Sequence, residues 1–140
     1  MVCLSMNEDE AYLDISKRFL ESCELHIHHG INIQEVIGFK SYHAFESIGG
    51  AYNSHYGHSV PRNHVRKLNS FVANSNHDIH VNFRAIAALA MTLNSMRNKY
   101  LYPEERSSTF IKPEDQISMT DVRLIVRRVR GVIREIERLI

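Results

Sequence analysis

Cysteine is scarce here: only Cys3 and Cys23 occur in 140 residues. That excludes a disulfide framework and any Cys-x-x-Cys metal or redox pair, and it sets a reducing cytoplasm as the expectation. A dominant charge sign is missing too. Lys and Arg number 17 against 16 Asp and Glu, a formal net charge of +1 with His neutral. Any attraction to nucleic acid or to a membrane surface must therefore be local. No apolar run approaches the roughly 20 residues that a spanning helix needs. The opening "MVCLSMNEDEAY" lacks a basic start and turns acidic where a signal peptide carries its apolar core. The expectation is a protein neither secreted nor embedded in a membrane. Strand-like alternation of useful length and internal repeats are also lacking, which leaves an all-α reading.

What is present reads as one folded domain. Hydrophobic residues make up 44% and charged residues 24%, ordinary for a globular chain and far from the signature of disorder. A first helix is predicted over about 6–29: Tyr12, Ile15, Phe19, Cys23 and Ile27 recur at helical spacing, Ser5 with Glu8 forms a capping box, and Gly30 ends it. Asn32 with Glu35 starts a second, whose apolar face runs through Ile33, Val36, Ile37, Phe45, Ile48 and Tyr52 to "HYGHSVP". Gly49-Gly50 in its interior costs about 1 kcal/mol per glycine against alanine, which calls for close approach of a neighbour. Pro61 suits the first turn of a third helix with Val65, Leu68 and Phe71 or Val72 inward. A fourth, with Val81, Ile86, Ala90, Leu93 and Met96 inward, must stop before Pro103. The segment "PEERSSTFIKPEDQ" has no period and reads as an exposed connection. The last helix carries Met119, Val122, Val126, Val129, Ile133, Ile136 and Ile140, widened by Ile125, Val132 and Leu139, a stripe made to lie against a core. About five helices in a bundle follow.

Few motifs carry chemistry. Three His-x-x-His spacings occur, at His26/His29, His55/His58 and His77/His80, without the further ligands that a zinc site needs. No metal site and no cofactor are expected. Gly49-Gly50 lacks the Lys-Ser/Thr and the preceding strand of a phosphate loop. Arg123, Arg127, Arg130 and Arg134 follow one edge of the last helix, the only local basic concentration, either a solvated face or a stripe that tracks a nucleic-acid backbone. Arg97-Asn98 falls at the end of the fourth helix, where a cation and a turn-forming residue are ordinary.

Three segments resemble one family. "PRNHVRKLNSF" (61–71), "RNKYLYP" (97–103) and "DVRLIVRRVRGVIREI" (121–136) are similar to the third, fourth and last helices of HEPN domains, short helical proteins named for higher eukaryotes and prokaryotes and for presumed nucleotide binding. The resemblance covers nearly the whole chain. It implies an antiparallel bundle that pairs as a homodimer, RNA or nucleotide as ligand, and a toxin-antitoxin or defence setting. A minimal nucleotidyltransferase is then the expected partner. Many members are metal-independent endoribonucleases whose motif is an Arg, often followed by Asn, with a His after four to six further residues. Such cleavage needs a proton acceptor and donor, which His supplies near neutral pH, and a fixed cation for charge building on the phosphate. Arg97 and Asn98 match the first half. The His is missing: Tyr102 stands in its place, and no histidine follows His80. Three readings stay open: Tyr102 takes part, although a phenol with pKa about 10 is a poor base; His64 faces Arg97 in the fold; or the domain binds without cleaving, the reading the sequence favours. A fourth class is a structural subunit whose last helix forms a dimer seam.

Overall fold

The structure, a computed structural model, describes residues 5–140; Cys3 lies outside them. It is an all-α helical bundle: α1 (Glu8–His28), α2 (Gln34–His55), α3 (His64–Ser75), α4 (Phe83–Leu101), a short α5 (Pro113–Gln116) and α6 (Met119–Leu139). None of these helices is long and apolar enough to cross a membrane.

Local chemistry sets the ends. The capping box of α1 lies two residues further on than expected, with Glu10 accepting from the Asn7 N–H at 3.2 Å. Both α1 and α2 close on a left-handed glycine, Gly30 (φ 67°) and Gly57 (φ 77°). The N–H groups of Gly30 and Ile31 reach back to Ile27 and His26, and those of Gly57 and His58 to Ser54 and Asn53. These are the paired bonds that satisfy a helix's last carbonyls. Asn63, Asn82 and Ser118 cap α3, α4 and α6 through their side chains. Pro61 therefore precedes α3 instead of opening it. Val65, expected inward, is exposed on α3, while Leu68 and Phe71 are buried.

Contacts along the helices fix their directions. Pairs Asp9–His55, Ser16–Ala44 and Cys23–Ile37 run α1 antiparallel to α2. Lys17–Glu137 and Glu24–Arg130 do the same for α1 and α6. Gly38 lies under the Tyr100 ring and Tyr42 under Arg97, so α4 is antiparallel to α2. The third helix breaks this pattern. Glu46 meets His64 and Lys67, and Asn53 meets Ser70 and Asn74, so α3 runs parallel to α2. Segment 56–63 doubles back along α2 to allow it.

The centre is α2, with 14 of its 22 residues buried, more than an amphipathic surface helix allows. Its glycines explain how neighbours close on it: a Cβ at Gly49 would stand 2.8 Å from the Phe71 ring, and one at Gly50 3.0 Å from that of Tyr12. Helix α6 buries Val122, Ile125, Val126, Val129, Val132, Ile133 and Ile136, each worth roughly 1.5–3 kcal/mol when fully removed from water. The expected loop after Pro103 is ordered. Glu104–Arg106 pairs antiparallel with Thr109–Ile111 around a turn at Ser107 and Ser108, and α5 follows.

Candidate functional site

Because α3 lies parallel to α2, its first turn arrives beside the middle of α2. There, His64 Nδ1 contacts Glu46 Oε2 at 2.6 Å, and Lys67 Nζ contacts Glu46 Oε1 at 3.4 Å. His43, one turn before Glu46, places Nδ1 3.9 Å from Oε1. The carboxylate is almost completely buried, with 6% of its side chain exposed, while the His64 side chain is 43% exposed. A buried carboxylate thus sits behind two imidazoles that reach the surface. With Nδ1 held by Glu46, the His64 ring is fixed in orientation and Nε2 is the nitrogen left to exchange a proton.

Aromatic rings fix His43. Phe19 from α1 stacks on it at 5.5 Å between centroids, and Phe39 meets it edge-on at 4.5 Å. The His43 and His64 rings are 5.7 Å apart. Burial is the main influence on the His43 proton and lowers its pKa; Glu46 opposes this, and the positive groups of His64, Arg97 and Lys67 reinforce it. His43 is therefore held toward the neutral form, which can accept a proton.

Helix α4 supplies a further cation. The Arg97 guanidinium lies 5.8 Å from the centre of the Tyr42 ring, and that ring is 5.8 Å from His43 and 6.5 Å from His64. Tyr42 is 1% exposed. Its hydroxyl has no hydrogen-bond partner, although a buried phenol ordinarily finds one. Burial, with Glu46 adding, pushes its pKa up to about 12, and Arg97 opposes the shift. The hydroxyl stays protonated and able to donate.

The structure divides the residues singled out in the sequence. Arg97 and His64 fall on one patch, with His43, Glu46 and Lys67. Asn98 and Tyr102 fall on another: both line a cavity of about 260 Å³ with Ser95, Lys99, Pro103, Glu104 and Gln116. Tyr102 is 60% exposed, and its backbone carbonyl accepts from Gln116 at 2.9 Å. Arg97 and Asn98 are neighbours in sequence that point to different places. On α6, Arg123, Arg127 and Arg134 are exposed, whereas Arg130 bonds Glu24 at 3.2 Å. Arg130 and Arg134 line a cavity of about 550 Å³ between α1 and α6, where Glu21, Glu24 and Glu137 offset them. His28 also lines that cavity, but no described hydrogen bond or ion pair joins it to a carboxylate there; the bonded imidazole–carboxylate cluster described above lies on the α2–α3–α4 patch.

The three His-x-x-His pairs do not assemble a ligand set among the described residues. His55 pairs with Asp9 at 3.0 Å, and the His26 Nδ1 is buried without a partner. The grouping with metal-ligand character is His43, Glu46 and His64, whose candidate donor atoms all lie within 4.8 Å of one another. The sequence carried a signal for half of it, His43-x-x-Glu46 at one-turn spacing. Comparison with family models, curated proteins and solved structures finds no match to this chain.

Proposed function

We propose that this chain is an HEPN-like RNA-binding protein that seats a phosphate against Arg97 and Lys67 and cleaves the adjoining bond without metal, through His64 and His43. The observation that carries the reading is the His64–Glu46 contact at 2.6 Å, set beside a second imidazole and near two cations. Cleavage by an internal 2′-hydroxyl requires a group that takes the hydroxyl proton and one that gives a proton to the leaving oxygen. His43, favoured neutral, suits the first role; His64, oriented by Glu46, suits the second. Arg97 and Lys67 offset the charge that builds on the phosphoryl oxygens. This pairing supplies what the Arg97-to-Tyr102 spacing lacks. Phe19 also lines a shallow cavity of about 350 Å³ with Arg18 and Lys40, where a base can stack beside two cations.

The same reading brings a homodimer, a toxin-antitoxin or defence setting and a nucleotidyltransferase partner as its company. Arg123 and Arg127 on the exposed edge of α6 are its second phosphate contacts.

Its test is cleavage of single-stranded RNA in EDTA by wild type, Arg97→Ala, His64→Ala, His43→Ala and Tyr102→Phe, with RNA retention followed against salt. Activity in the wild type, reduced at least about 100-fold by His64→Ala and by Arg97→Ala, is expected, since one general acid or base contributes that much, and so does one group that stabilises transition-state charge. Tyr102→Phe should leave it unchanged. RNA binding weakened by Arg97→Ala without cleavage would reduce the function to binding. Tight dimerisation with neither activity nor salt-sensitive retention would leave a structural subunit and end the reading.

A further inference from the structure

The cluster that the proposed cleavage uses in metal-free form has the donors of a transition-metal site. We infer that His43, Glu46 and His64 bind one zinc ion, and that zinc switches the site off. The metal seat stands on the ligand geometry alone; only the switching rests on the cleavage proposed above.

Two imidazoles and one carboxylate form a three-ligand set that zinc accepts in tetrahedral geometry with a fourth position open. Nitrogen donors favour zinc over magnesium or calcium, which take oxygen. Donors around a tetrahedral zinc with bonds near 2.0–2.1 Å stand about 3.4 Å apart. Here the three donors already lie within 4.8 Å, so small side-chain rotations close the shell without moving a helix. His43 and Glu46 share one face of α2 a turn apart, and His64 is held over them by the capped start of α3. The 2.6 Å contact of His64 with Glu46 is the one that must lengthen as a metal enters between them.

The surroundings leave one position open and set a limit on affinity. The partly exposed His64 leaves the open position facing solvent. The Tyr42 ring backs the seat, 5.8 Å from His43 and 6.5 Å from His64 between ring centroids. Lys67 and Arg97 repel the ion, so binding is weaker than at a structural zinc and is reversed by EDTA. Bound zinc takes the nitrogen lone pairs that proton transfer needs, which is why occupancy and cleavage exclude each other. Cys23 plays no part: it is fully buried, and burial holds its thiol protonated with a pKa pushed up to about 12.

Calorimetric titration of the EDTA-stripped full chain with zinc chloride tests the seat, with cobalt(II) absorption reporting coordination. One ion per chain with a tetrahedral cobalt spectrum is expected. His64→Ala and Glu46→Gln should each weaken binding at least about tenfold, the scale on which ligand-shell changes act, while His55→Ala leaves it unchanged. His64→Ala is the decisive variant because its exposed side chain is removable without opening the core; circular dichroism checks its fold. No stoichiometric binding, or binding that survives His64→Ala, would overturn the inference. RNA cleavage in EDTA is measured separately, so a failed nuclease reading leaves the zinc result standing. Active protein that zinc binds but does not inhibit overturns the switch alone.

Discussion

Glycine at 49 and glycine at 131 occupy helix interiors, yet they answer to opposite constraints. A Cβ at Gly49 would stand 2.8–2.9 Å from Cβ, Cγ and Cδ2 of Phe71. The Phe71 Cβ is tied to its own backbone, so relief requires α3 to move off α2. Gly49→Ala is expected to lose about 1–3 kcal/mol through overpacking despite the gain in helix propensity. At Gly131 nothing lies within 4 Å of the added atom. Gly131→Ala should therefore raise stability by up to about 1 kcal/mol. Urea unfolding of the two variants checks both signs. The glycine pair at 49–50 was legible in the sequence as a demand for a close neighbour, because its propensity cost needs an offset. Which ring makes the approach was not, since it depends on the direction of α3.

At the scale of elements, helices announced themselves wherever apolar spacing and caps agreed. Helix α6 follows its stripe closely, and α4 stops one residue before the extended Tyr102 that Pro103 imposes. The hairpin after Pro103 escaped because strands of three residues are too short to show a period. Its turn is unusual in composition: Ser107 and Ser108 both have positive φ, 47° and 70°. Left-handed backbone costs an L-residue about 1–2 kcal/mol, and hairpin turns of this kind prefer Asn-Gly. Replacing the pair by Asn-Gly should stabilise the hairpin by about 1 kcal/mol, seen as slower amide exchange across 104–111 with the helices unaffected. The site was half legible for a similar reason. His43 and Glu46 share a helix face by spacing alone, but no local signal says that segment 56–63 turns back. Without that reversal, His64 would sit far from Glu46.

For the whole molecule, acid stability follows from the tie between α2 and the turn that follows α3. The Tyr52 hydroxyl donates to Asp78 Oδ2 at 2.6 Å. That bond, with burial opposing and the His80 backbone N–H assisting, lowers the Asp78 pKa below its ordinary 3.8. The folded protein then takes up this proton less readily than the unfolded chain. The stabilisation is fully present above pH 3.8 and drains away as pH falls through the depressed folded value. Tyr52→Phe should be less stable than wild type at neutral pH, and the gap should narrow once pH drops below 3.8, as denaturation midpoints along a pH series will show. A gap independent of pH would mean that Tyr52 acts through packing alone.

The reversed third helix also bears on timing. Helix α3 packs mainly on α2 and α4, and it reaches them only after an eight-residue return path, 56–63, has been laid down. Its 12 residues are too few to hold helical form by themselves in water. Release of α3 is thus a natural sub-global opening, in which α1, α2 and α6 keep their mutual contacts. Such an opening carries His64 and Lys67 away from Glu46 together. The lifetime of the assembled site is then the docked lifetime of one short helix, shorter than that of the protein as a whole.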